Sequence, residues 1–179
     1  MRAAVLDAAL AALLEHGYDG MNVADIARTA GVAETTVYRR WATKADLAAA
    51  AIGELAVVEN PLPDTGSLRG DLRALLAQIM ALLRRPEVER LARAAVALAG
   101  DDPRRSEART AFYRARTAGS ATVAVRAIER GELPAGADAE AVIEYLVAPA
   151  YLRLLLTGGP LDEVLLDDSV DRTIAAFAR

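Results

Sequence analysis

Within the ten residues from Thr35 to Lys44 the chain gathers Thr35, Thr36, Tyr38, Arg39, Arg40 and Lys44. Side chains of these types recognise nucleic acid rather than turn over a substrate. Arg pairs with guanine through two parallel hydrogen bonds, a Thr methyl packs on the thymine methyl, and hydroxyl and ammonium groups reach phosphates. On a helix that turns about 100° per residue, with Val37 inward, Thr35 and Arg39 project from the opposite side as an i, i+4 pair. Those two suit base edges, while Thr36, Tyr38 and Lys44 suit phosphates and Arg40 joins the same outward surface. The wheel alone also describes an ordinary solvated helix face.

Other chemistry finds little to work with. The chain has no cysteine, which removes disulfides, thiolate metal sites and thiol redox sensing and fits a reducing cytoplasm. His16 is the only histidine and sits in the last turn of a helix, where it complements the helix dipole or is simply exposed. Ser67, Ser106, Ser120 and Ser169 occupy no Gly-x-Ser-x-Gly elbow, and no phosphate-cradling glycine loop or histidine pair is present. Asp167 and Asp168 read as solvated charge. An enzyme is therefore not expected, nor is a cofactor or a bound metal.

The elements that must position the outward residues are legible. Asn22, with Asp25 three residues on, forms a capping-box-like start, and Val23, Ile26, Ala27 and Ala30 recur on one face of a short helix. Gly31 supplies the sharp turn and Val32 plugs the angle between this helix and the next. Helix 1 is expected from Arg2 to His16, with Leu6, Leu10 and Leu13 inward and Gly17 as its stop. Thr43 and Asp46 form a second capping box that opens a fourth helix at Lys44. Trp41 reads as a wedge inside the head rather than a base-stacking ring.

Taken together, Gly17-Tyr18, Val23-x-Asp25-Ile26-Ala27, Ala30-Gly31-Val32, Thr36-Val37-Tyr38 and Lys44 resemble the DNA-binding signature of the TetR (tetracycline-repressor) family of bacterial regulators. The match runs without a gap from residue 2 to about residue 47. The resemblance implies an all-α homodimer, with a three-helix helix-turn-helix head at 1–47 and a larger helical effector-binding and dimerisation domain at 48–179. It makes 33–40 the recognition helix, puts Lys44 near a phosphate, and implies a palindromic DNA operator and a small-molecule effector as partners, with repression as the mode of action. Two departures stand out. Ala33 and Glu34 replace the family's usual Ser and basic residue, so Glu34 either accepts from cytosine N4 or complements the positive helix end. Only Arg2 stands in for the basic arm that often precedes helix 1.

Composition bears on the remainder. At 179 residues, 54% apolar and 4% aromatic, the chain suits packed helices in one or two domains, about nine helices in all. No stretch suggests export or membrane insertion. The balance of 21 basic and 25 acidic residues argues against nucleic acid, and the acidity is read as belonging to the effector domain. That balance also supports an alternative, a helical adaptor that has lost strong DNA binding. The segment from Asn60 to Gly66 is dense in helix stoppers and divides the chain. Beyond it, helices are expected from Ser67, Pro86, Asp102-Pro103 and Asp138, with a last one near the C-terminus. Met80, Phe112, Tyr113, Arg116 and Tyr145 are candidates for a pocket, although plain core packing explains them equally well. The eighth helix is apolar all round and the ninth is amphipathic, so Val142, Leu146, Ala150, Leu154, Val170, Ile174 and Phe177 are expected to meet a second copy. Pro149 should kink the eighth helix.

Overall fold

Helix after helix follows from the apolar spacing and the caps, and the architecture is all-α. The computed structural model describes residues 1–59, 62–97, 110, 117 and 119–178. Among these residues there are nine helices: α1 (Arg2–Gly20), α2 (Val23–Thr29), α3 (Glu34–Arg40), α4 (Lys44–Glu59), α5 (Leu68–Leu83), α6 (Pro86–Ala97), α7 (119–129), α8 (Ala139–Leu152) and α9 (Glu163–Phe177). The chain divides into two compact units, one containing α1–α4 with α6, the other α5 with α7–α9. The expected helix start at Asp102-Pro103, and Phe112, Tyr113 and Arg116, lie outside the described residues.

In the first unit α1 packs against α2 and α4. Val5, Leu6, Ala9 and Leu13 face Val23, Ile26, Ala27, Val37, Leu47 and Ala51 in one apolar core. Leu10 is only partly buried against that core, so the inner stripe of α1 turns by way of Val5 and Ala9. The first run of α1 stops at Gly17, as expected. Gly17 breaks it with φ 70 and ψ 179, values open only to glycine, and the chain then makes one more helical turn to Gly20. Tyr18 and Asp19 ride on that final turn.

The second unit is knit by α5, which packs against α8 and α9. Leu72, Leu76, Met80, Val123, Val142, Leu146, Leu166 and Val170 fill its interior. Across the surface, Arg69 pairs with Asp171 at 2.6 Å, and Arg73 with Glu163 at 2.5 Å and Asp167 at 3.0 Å. Asp71 stands on the buried stripe of α5 with no exposed surface. Its carboxylate accepts from the Thr65 N–H at 2.6 Å, from the Thr65 hydroxyl at 2.8 Å and from Arg130 at 3.1 Å. Arg130 also donates to Glu132 at 2.6 Å, and Glu132 in turn accepts from the free Leu68 N–H at the start of α5 at 2.7 Å. Burial on its own would raise the Asp71 carboxyl. The hydrogen bonds from Thr65 and the Arg130 charge outweigh it, and the group sits below its ordinary value. Glu132 is lowered as well, first by the Leu68 N–H and then by Arg130.

Five residues expected to meet a second copy are turned inward instead. Val142, Leu146, Ala150, Leu154 and Val170 are buried within their own chain, because α5 and α9 already cover that side of α8. Ile174 and Phe177 are half-buried. The large apolar side chains left open here are Tyr145 and Leu152 on α8, Leu156 in the turn that follows it and Val164 on α9. Pro149 is inside α8, and four residues later the helix widens into a π-helical turn, Arg153–Thr157, closed by Gly158 N–H donating to the Arg153 carbonyl at 2.8 Å. A proline lacks one helical donor and crowds the carbonyl four residues back, and a wider turn is one way to restore the bonds.

Candidate nucleic-acid interface

The hinge of the head is built by local hydrogen bonds. The Asn22 carboxamide accepts from the N–H of Ala24 at 2.9 Å and of Asp25 at 3.4 Å, which caps α2. At the other end Gly31 adopts φ 68, and its N–H reaches the Arg28 carbonyl at 3.2 Å while the Val32 N–H reaches the Ala27 carbonyl at 2.9 Å. This paired closure ends α2 and brings Val32 back onto the core of the head. α3 begins three residues after Gly31.

α3 turns Val37 fully inward, at 1% exposure, and Thr35 and Arg39 outward. Tyr38 and Arg40 are also exposed, and Thr36 is half-buried beside them. Arg39 forms no ion pair with any described residue. Arg40 lies with its guanidinium 5.7 Å from the centre of the Trp41 ring, and Trp41 itself packs partly into the head core as a wedge. The first turn of α3 receives no side-chain cap from Ala33, and Glu34 lies at its positive end. On α2 the exposed Arg28 is tied to Asp25 at 2.5 Å.

Thr43 and Asp46 cap α4 reciprocally: the Thr43 N–H donates to the Asp46 carboxylate at 2.9 Å, and the Asp46 N–H to the Thr43 hydroxyl at 3.1 Å. That box fixes Lys44 at the first position of α4. The Lys44 ammonium donates to the Asp19 carbonyl at 3.1 Å and lies 4.9 Å from the centre of the Tyr18 ring. The part of Tyr18 in holding Lys44 is not legible from helix spacing, since it depends on the kink at Gly17. Thr35, Thr36, Tyr38, Arg39, Arg40 and Lys44 all belong to the same compact unit.

The surface charge of this head is not uniformly positive. Residues 1–47 hold five basic and six acidic side chains, so the acidity is not confined to the rest of the chain. What the arrangement offers is local: Arg39, Arg40 and Lys44 on and just after a projecting helix, opposed there by Glu34 and Asp46.

Of the pocket candidates, Met80 is buried in the core of the second unit. Tyr145 is half exposed and meets Phe177 edge-on at 5.8 Å, so its ring belongs to the α8–α9 surface rather than to an enclosed cavity. No helix among the described residues is long and apolar enough to cross a membrane, and no group of acidic or histidine side chains among them could hold a metal ion.

Comparison with known proteins agrees with this geometry over nearly the whole chain. Residues 5–51 match the family "Bacterial regulatory proteins, tetR family", and residues 62–173 match "Tetracyclin repressor-like, C-terminal domain". The HTH-type transcriptional regulator YdeS of Bacillus subtilis is 30% identical over 93% of this chain and 84% of its own. The DNA-binding transcriptional repressor TetR of Mycobacteroides abscessus is 32% identical over 99% of this chain and 93% of its own. The crystal structure of the TetR family transcription regulator SCO0332 superposes with a TM-score of 0.82 at 28% identity, covering 97% of this chain and 96% of that one. A DNA-binding helix-turn-helix head joined to a helical C-terminal domain, with similarity of this extent on both sides, identifies the chain as a member of the TetR family of transcriptional regulators, a family without enzymatic activity.

Proposed function

We propose that this regulator is a repressor that binds a palindromic operator as a homodimer and is released by a small-molecule effector. The observation that carries the DNA half is the outward presentation of Thr35 and Arg39, opposite the buried Val37, on an α-helix, the element whose width a major groove admits. In this reading Arg39 takes a guanine edge and Thr35 a thymine methyl, while Thr36, Tyr38, Arg40 and Lys44 hold the backbone. Two heads on one duplex face must stand about 34 to 36 Å apart, or a multiple of that. The segment 1–47 is the reading head, and 48–179 carries effector binding and dimerisation. Repression is supported by the name of the Mycobacteroides abscessus relative.

An effector acts by binding one head separation more tightly than another, since equal affinity for both shifts nothing. Among the described residues, Met80 is the pocket candidate to test for contact with it. The second copy is expected on the exposed row Tyr145, Leu152 and Leu156, rather than on the residues α8 buries in its own core. A mobility-shift assay on the DNA upstream of the chain's own coding region tests the whole. Salt-sensitive, sequence-dependent retardation is expected. The net acidity of residues 1–47 favours the adaptor as a second reading, and absence of retardation even at low salt would support it.

A further inference from the structure

A lysine in the first turn of a helix faces the positive end of the helix dipole, so Lys44 contributes nothing favourable to α4 by its charge. Its ammonium is nevertheless held. It donates to the Asp19 carbonyl, in the last turn of α1, at 3.1 Å, and it lies 4.9 Å from the centre of the Tyr18 ring. Both partners are delivered by the break at Gly17, whose φ of 70 redirects the chain before the final turn of α1. A cation at that distance from an aromatic face is attracted by the ring quadrupole and gives up water on that side. A free lysine must lose its rotamer freedom to meet a phosphate, whereas this one has lost much of it before DNA arrives.

We propose that Tyr18 is a positioning residue for DNA binding: its ring, with the Asp19 carbonyl, orders the Lys44 ammonium in advance for a backbone phosphate. The inference rests on the reading of Lys44 as a phosphate contact. Phosphate contacts carry no sequence information, so a duplex of mixed sequence at low salt serves as the probe and no operator is needed. The variants are Tyr18→Leu, Tyr18→Phe, Lys44→Ala and the double variant Tyr18→Leu/Lys44→Ala, each checked for an intact melting transition. Lys44→Ala lowers affinity and flattens the dependence of log affinity on log salt by about 0.9 for each head bound.

Tyr18→Leu keeps an apolar side chain against the head core and removes the ring. It weakens binding about two- to fivefold, the size of a partly exposed cation–π contact. Tyr18→Phe restores the ring and with it the binding. In the Lys44→Ala background Tyr18→Leu has no further effect. An equal loss with and without Lys44, or a Tyr18→Phe protein as weak as Tyr18→Leu, overturns the positioning role and leaves the phosphate contact standing. If Lys44→Ala binds with unchanged affinity and unchanged salt dependence, the phosphate reading itself fails and the proposal falls with it.

Discussion

Arg39 and Lys44 carry the same charge into different surroundings, and their substitution should separate two kinds of recognition. Arg39 is exposed on α3 and forms no ion pair with a described residue, so its planar fork is free for a base edge. Replacing it with Ala is expected to cost about 1 to 3 kcal/mol on the preferred site and to narrow the gap between preferred and altered sites. Replacing Lys44 should weaken every sequence alike. Fluorescence-anisotropy titrations on matched duplexes read both, and equal changes in specificity would reverse the assignment. Ala33 offers a test in the opposite direction. It holds the N-cap of α3 in extended geometry, φ −72 and ψ 143, without a side chain that can accept from the first turn. Ala33→Ser supplies one and should stabilise the head by about 1 kcal/mol, seen as a higher midpoint in thermal unfolding followed by circular dichroism. No rise would mean that the first-turn N–H groups of α3 already find adequate partners in water.

At the scale of elements, the groups clasped around the start of α5 make stability depend on pH. Asp71 and Glu132 both titrate below their ordinary values in the folded chain. Each therefore contributes stability that is complete above the unfolded carboxylate pKa, near about 4, and is lost as pH falls through the depressed folded value. The melting temperature should fall steeply below about pH 4, and Asp71→Asn should blunt that dependence. Asp71→Ala leaves the Thr65 N–H and part of the Arg130 charge without their acceptor, and is expected to cost about 3 kcal/mol in denaturant unfolding. A cost under about 1 kcal/mol would place Asp71 among ordinary surface carboxylates, against its burial. The partners of this clasp are not legible in the sequence. Asp71 occupies a slot of the apolar stripe Leu68, Leu72, Leu75, Ile79, where a charge demands a partner, yet Arg130 and Glu132 are about sixty positions away and no local rule connects them. The N-cap at Asn22, the capping box at Thr43, the turn at Gly31 and the inward Val37 could be read off directly because each depends on neighbours within five residues, although the Asp25 carboxylate expected to complete a box at Asn22 binds Arg28 instead. The stop at Gly17 is legible as well, whereas the extra helical turn that follows it to Gly20 is not, since a glycine that stops a helix and one that redirects it look alike in sequence.

For the whole molecule, the apolar character of α8 has to be divided between two neighbours, and the sequence shows only the total. One side is consumed within the chain by α5 and α9, which is why Val142 and Leu146 are completely buried. The remainder, Tyr145, Leu152 and Leu156, continues from α8 through the π-helical turn, and Leu152 and Leu156 are 50% and 77% exposed. A row of this kind is costly in water and suits a second copy related by a twofold axis. If the chain pairs as proposed, Leu152→Glu with Leu156→Glu should leave it monomeric in sedimentation equilibrium without lowering helix content, because both side chains are exposed. Val142→Ala makes the contrasting control: it should cost on the order of 2 kcal/mol of unfolding free energy by leaving a cavity, with association changed only through that loss. The monomeric double variant should still retard DNA at high concentration but lose preference for two correctly spaced half-sites over one, since a single head gains nothing from the second. A Leu152→Glu/Leu156→Glu protein that keeps the parent's mass in solution would show that the copies meet on another face.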